Sequence, residues 1–157
     1  MAMDKQFAFA IVVIVLFGTL GAKVWLINRK NIFISEVMIG RPLGVVWTFL
    51  SEPGKYARLY PNWIKTIELV GGDTYKVEDR FGGSYSITVI RNKEFGVIDL
   101  HIGNETSRLR LFAVGDNQTL AVHVTRRWAG ISDLVWYFHK RTTDQDFENA
   151  KMVIEAE

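Results

Sequence analysis

Hydrophobic and polar positions follow three different rhythms along the chain, and each rhythm predicts a different element. From Phe7 to Ile27 the residues are apolar apart from one charge, Lys23. A helix of those twenty-one residues is about 31 Å long, close to the ~30 Å hydrocarbon core of a bilayer. Apolar side chains go all round it, whereas a helix on a protein core carries a one-sided stripe. Lys23 lies one turn from the boundary, where its ammonium reaches the headgroups, and Trp25 followed by Asn28, Arg29 and Lys30 suits the interface. The stretch reads as one transmembrane helix. A cleaved signal peptide is the rival, but Leu20 and Lys23 crowd the small-residue site at Thr19 to Gly21, and the apolar run resumes after it.

Beyond Asn31 the rhythm changes to period two, broken once by a helical pattern. Phe33 to Ile39 predicts a first strand. Gly40-Arg41-Pro42 ends it, and Leu43, Val46, Trp47 and Leu50 then recur at i, i+3, i+4 and i+7, one stripe of a two-turn helix. Tyr56, Leu59 and Tyr60 make a second short turn, which Pro61 stops. Six strands are predicted after it, over residues 64–70, 74–81, 84–91, 95–102, 106–114 and 118–127. They are separated by Gly-, Asn- and Asp-containing turns and so predict an antiparallel meander. Alternation places Ile98, Leu100, Ile102, Leu109, Leu111, Ala113, Leu120, Val122 and Val124 on one apolar face. Asp99, His101, Arg108, Arg110, His123 and Thr125 fall on the other, which makes both histidines ordinary solvated sheet residues.

The third rhythm is helical again, from Ser132 to Glu157. Leu134, Val135 and Phe138 set one stripe, and Phe147, Ala150 and Ile154 set another, rotated by roughly 120°. Thr142-Thr143-Asp144-Gln145-Asp146 lies between them and carries a threonine cap with acidic residues behind it, so a kink or break is expected there. Together these elements predict an α+β fold.

Charge divides the chain in the same way as hydropathy. Residues 31–157 hold fifteen Lys and Arg against sixteen Asp and Glu, so the formal +2 of the whole chain comes from the collar of Lys23, Arg29 and Lys30, with Lys5 offset by Asp4. A nearly neutral domain lacks the basic face of a nucleic-acid binder. The collar's excess lies C-terminal to the span, and the positive-inside rule puts the domain on the cytoplasmic side of a single-pass membrane protein. Residues 1–30 are then the anchor and 31–157 the domain. Asn104-Glu105-Thr106 and Asn117-Gln118-Thr119 match the glycosylation triplet, which carries no sugar on a cytoplasmic domain.

Order and local sequence together resemble the SRPBCC superfamily, the START-like or birch-pollen-allergen-like domains that include polyketide cyclase/dehydrase-like members. The resemblance rests on VWTFLSEPGKYARLYPNW (Val46 to Trp63), on RRWAG (Arg126 to Gly130) and on the closing DFENAKMVIE (Asp146 to Glu155). It implies a helix-grip fold, a curved antiparallel sheet of about seven strands around the long C-terminal helix, with an apolar cavity between them. An N-terminal anchor sets this chain apart from most such proteins.

Chemistry is sparse. The chain has no cysteine, which excludes thiolate catalysis, disulfides and Cys-ligated metals. No histidines stand at metal spacing, and there is no phosphate-cradling glycine loop or nucleophile elbow. No catalytic residue, metal or cofactor is therefore predicted. Asp79 is a candidate acid or base if it points inward, and a solvated strand-end residue otherwise. Aromatics make up 13% of the chain, more than a small core must use, and Tyr60, Trp63, Tyr85 and Phe138 are the candidate ligand-binding residues. The plainer alternative is that they fill the core. Arg126, Arg127, Lys140 and Arg141 form either a basic patch facing headgroups or solvated charges. Three functions fit: a non-catalytic binder of a lipid, isoprenoid, quinone or pigment at the membrane, an accessory subunit of a membrane complex, and a cyclase- or hydrolase-like enzyme. The implied partners are membrane lipids, a hydrophobic small molecule and other membrane-protein subunits, not nucleic acid.

Overall fold

The first β-rich stretch finds its partner at the far end of the meander. In the computed structural model, which describes Gly18 and residues 31–103, 105–127 and 129–157, strand β1 (Ile32–Ile39) pairs antiparallel with β7 (Gln118–Arg126) along its full length. The remaining strands are β2 (Ile64–Gly71), β3 (Thr74–Asp79), β4 (Ser84–Asn92), β5 (Val97–Ile102) and β6 (Glu105–Val114). All seven form one antiparallel sheet in the order β1-β7-β6-β5-β4-β3-β2. Among the described residues no helix is long and apolar enough to cross a membrane. The predicted span, Phe7 to Ile27, lies outside them but for Gly18.

Helix α1 (Leu43–Leu50) follows β1 and buries Val46 and Leu50 completely, with Leu43 and Trp47 half-buried beside them. A 3-10 turn (Pro53–Lys55) leads into the one-turn helix α2 (Tyr56–Leu59). There the Tyr56 hydroxyl donates to the Leu50 carbonyl at 2.8 Å, which ties the two helices together inside the core. Turn chemistry sets the meander. Gly96 has φ +60°, and a side chain there would meet the Leu111 carbonyl oxygen, so only glycine lets β5 and β6 close at that point.

The C-terminal helix α3 (Asp133–Glu155) is one continuous element of 23 residues, without the expected break. Ser132 caps it by accepting from the Val135 amide. Thr142 and Thr143 do not start a new helix, because their hydroxyls donate back to helix carbonyls, Thr142 to Phe138 and His139 and Thr143 to His139. The inward stripe is Trp136, Lys140, Phe147, Ala150 and Ile154, all buried. The predicted first stripe faces out instead, with Leu134, Val135 and Phe138 each more than half exposed.

The sheet's faces also differ from expectation in one strand. Ile98, Leu100, Leu109 and Leu111 are buried as predicted, but in β7 the buried positions are Thr119, Ala121, His123 and Thr125. Register decides this: Leu111 pairs with Ala121 and Leu109 with His123, and directly opposed residues share a face. His123 is therefore an interior residue, not a solvated one.

Candidate functional site

The concave face of the sheet has two unlike ends. At the end under the C-terminal half of α3, the lining is aliphatic and packed shut. Val37, Ile39, Val89, Ile98, Leu111 and Ala121 meet Val46, Leu50, Leu59, Ala150 and Ile154, each at most 5% exposed. Glu155 fastens this end by accepting from the Gly40 amide at 2.6 Å, and its carbonyl accepts from Arg41. The end under the N-terminal half of α3 is lined by polar and aromatic side chains instead. Ser35, His123 and Thr125 face inward from β1 and β7 and are buried, and Ser107 enters from β6.

Aromatic rings run between the two ends. Tyr85 on β4 accepts a hydrogen bond from the Trp63 indole at 2.6 Å. Trp63 lies 6.3 Å from Tyr60, Tyr60 lies 5.9 Å from Phe147, and Phe147 lies 5.2 Å from the His123 imidazole, centroid to centroid. Beyond His123, on the opposite wall, Trp136 stacks on His139 at 5.5 Å and meets Phe33 edge-on. Asp146 holds the Trp63 side of this arrangement. Its carboxylate accepts from both the amide and the side chain of Asn62 at 2.9 Å. That carboxyl is raised above the ordinary range by burial, which the bonds from Asn62 and from the Trp63 amide partly offset.

His123 carries the sharpest polar feature. Its Nε2 makes a short hydrogen bond with the Ser107 hydroxyl, while its Nδ1 is buried and has no hydrogen-bond partner among the described residues. Burial, with the neighbouring His139 second, lowers the His123 pKa to about 4. Burial brings His139 to about 4 as well. Both rings are thus neutral at physiological pH. Burial likewise pushes the Tyr85 hydroxyl up to about 12, so it stays a phenol.

Of the four residues the sequence singled out, the structure brings three together. Tyr60 is buried, and Trp63 and Tyr85 are half-buried and bonded to each other. Phe138 stands apart on the outer side of α3, 51% exposed, with its ring against Tyr137. Asp79 does point inward in register, but its carboxylate is taken up by the β3–β4 turn, accepting from the Phe81 and Gly83 amides at 2.8 and 2.7 Å. Of the four basic residues named from the sequence, Arg126 and Arg141 are exposed and the other two are engaged. Arg127 pairs with Asp133 at 2.6 Å and donates to the Ile131 carbonyl, while Lys140 lies buried with its ammonium over the Trp136 ring. A separate groove of about 530 Å³ runs between β1 and α3, lined by Ile32, Ile34, Tyr137, Lys140, Arg141 and Asp144. Among the described residues no group of His, Asp and Glu is arranged to hold a metal ion.

No family model matches this chain, and no curated protein matches its sequence. Solved structures do match its shape. The protein XoxI from Bacillus cereus superimposes with a TM-score of 0.67 at 14% identity, covering 80% of this chain and 96% of that one. The Zhui aromatase/cyclase from Streptomyces sp. R1128 gives 0.66 at 16% identity, over 79% and 93%. A START superfamily protein from Mycobacterium smegmatis gives 0.59 at 12%, over 81% and 96%. At such identities the likeness is one of fold: the chain has the START-like, helix-grip architecture.

Proposed function

We propose that this protein is a membrane-anchored, non-catalytic binder of a hydrophobic molecule, with residues 1–30 as the anchor and 31–157 as the binding domain on the cytoplasmic side. The observation that carries this reading is the continuous wall of Tyr60, Trp63 and Tyr85, two of its three rings only half-buried. The wall stands between the sheet and α3, where the lining changes from packed aliphatic to polar. Apolar area transferred onto it is worth about 25 cal/mol per Å² before ordering costs. Asp79, the acid or base candidate of the sequence, has its carboxylate engaged by the amides of the β3–β4 turn.

The anchor reading gains support from the start of α3. Leu134, Val135 and Phe138 are exposed beside the place where the chain enters the sheet, since the Arg127 amide donates to the Asn31 carbonyl and its guanidinium holds Asp133. A lipid surface would cover such side chains. Titration of the reconstituted chain with quinone and lipid analogues, followed by tryptophan fluorescence, is expected to saturate and to weaken in Trp63→Ala and Tyr85→Ala. A linear, non-saturating response would overturn the reading.

A second reading, an accessory subunit of a membrane complex, is favoured by the outer face of the sheet. Ile34, Met38 and Phe112 are exposed there beside the half-buried Leu120, Val122 and Val124. Co-purification of a stoichiometric membrane protein in mild detergent, lost on Phe112→Glu, distinguishes it.

A further inference from the structure

We infer that the binding site selects a hydrophobic molecule carrying one uncharged oxygen function, a hydroxyl or carbonyl, which hydrogen-bonds to Nδ1 of His123. This rests on the hydrophobic-binder reading and specifies the ligand's polar group. The geometry has three parts. His123 sits on the inner face of β7 with its ring against Phe147, at the junction between the aromatic wall and the polar end. Its orientation is fixed from behind, because Nε2 is engaged by Ser107 on the neighbouring strand. Its other nitrogen, buried with the ring, is left without a partner among the described residues. Buried polar atoms in proteins are nearly always paired, and an unpaired one costs free energy until something bonds to it.

The chemistry of the ring then restricts the class. If Ser107 donates to Nε2, Nδ1 carries the proton and seeks an acceptor; if Ser107 accepts, Nδ1 is itself the acceptor. A hydroxyl satisfies either tautomer, and a carbonyl satisfies the first. A carboxylate is a poor match, since it would face a neutral imidazole with a second neutral imidazole, His139, close by. The flanking Phe147, Tyr60 and Trp63 rings accept the hydrocarbon part.

The test uses the full chain in lipid nanodiscs with 15N-labelled histidine; the chain holds three histidines, so the imidazole nitrogens resolve individually. The probes are 2-naphthol, naphthalene and 2-naphthoate, with empty nanodiscs as the partitioning control. Saturable 2-naphthol binding that moves the His123 Nδ1 resonance, with naphthalene leaving it unmoved, is the expected result. One net hydrogen bond corresponds to about three- to tenfold in affinity. His123→Phe should therefore weaken 2-naphthol by that factor and leave naphthalene unchanged. Equal binding of naphthol and naphthalene, with Nδ1 unmoved in both, overturns this inference and leaves hydrophobic binding standing. Tighter binding of naphthoate overturns it in favour of an anion site. Absence of saturable binding by all three removes the inference together with the reading beneath it. A carbonyl probe, 2-acetylnaphthalene, separates the two oxygen classes: matching naphthol places the proton on Nδ1, and binding like naphthalene restricts the site to hydroxyls.

Discussion

The two ends of the concave face use the same strands for opposite purposes. β1, β6 and β7 each contribute to both. Ile39, Leu111 and Ala121 close one end, while Ser35, Ser107 and His123 open the other to polar contacts. A few residues along one strand therefore separate close aliphatic packing from buried polar groups. On the reading proposed above, the residues that pack the fold and those that meet a ligand lie at different positions along the same ladders.

The largest blow to that division should come from the closed end. Leu59→Ala, at a fully buried site, is expected to cost about 2–5 kcal/mol in urea unfolding. A loss under about 1 kcal/mol would mean the closed end is not packed shut. Comparable in size is acid. Both His123 and His139 are lowered from 6.5 to about 4 in the folded protein, so between those values the unfolded chain binds more protons. Stability is then complete above about pH 6.5 and is lost as pH falls toward 4, by up to about 3 kcal/mol per imidazole at ~1.4 kcal/mol per pKa unit. His123→Phe should flatten roughly half of that slope; an unchanged slope would place the acid sensitivity elsewhere.

Smaller effects sharpen the boundary between the ends. Asp146→Ala removes the acceptor for the Asn62 amide and side chain and should cost about 1–3 kcal/mol, together with a shift in Trp63 emission. Emission identical to the parent would show that Asp146 does not position Trp63. Tyr85→Phe deletes one hydroxyl that accepts from the Trp63 indole. About 1 kcal/mol of stability is expected to go with it, and ligand affinity should fall more than stability if the wall belongs to the site.

Much of this architecture can be read from residue order. The seven strands, the α1 stripe and the turns follow from alternation and from glycine and asparagine punctuation, and they recur in the structure within a few residues. The faces of β7 do not, because Leu120, Ala121, Val122 and Val124 make both sides of that strand apolar, and periodicity alone cannot choose between them. Counting back across the Gly115-Asp116-Asn117 turn does choose. With Val114 opposite Gln118, His123 must oppose Leu109 and face the core. The long helix was obscured for another reason: Thr142 and Thr143 resemble a helix start, and only their bonds to earlier carbonyls show that they are interior. Tyr60, Trp63 and Tyr85 were legible as surplus aromatics. Their bonding partners, set by contacts far apart in sequence, were not.

The pairing of β1 with β7 sets a limit on how the fold is reached. Partners along that ladder lie between 80 positions apart (Ile39 with Thr119) and 94 apart (Ile32 with Arg126). On an elongating chain β1 emerges early and waits, unpaired, until β7 and α3 have followed. High contact order of this kind slows folding to milliseconds or longer. During that interval Val37 and Ile39, buried in the finished fold, are open to any neighbour. On the anchored reading proposed above, a nascent chain held at a membrane would meet fewer copies of itself while it waits, so tethering would act on yield as well as on address.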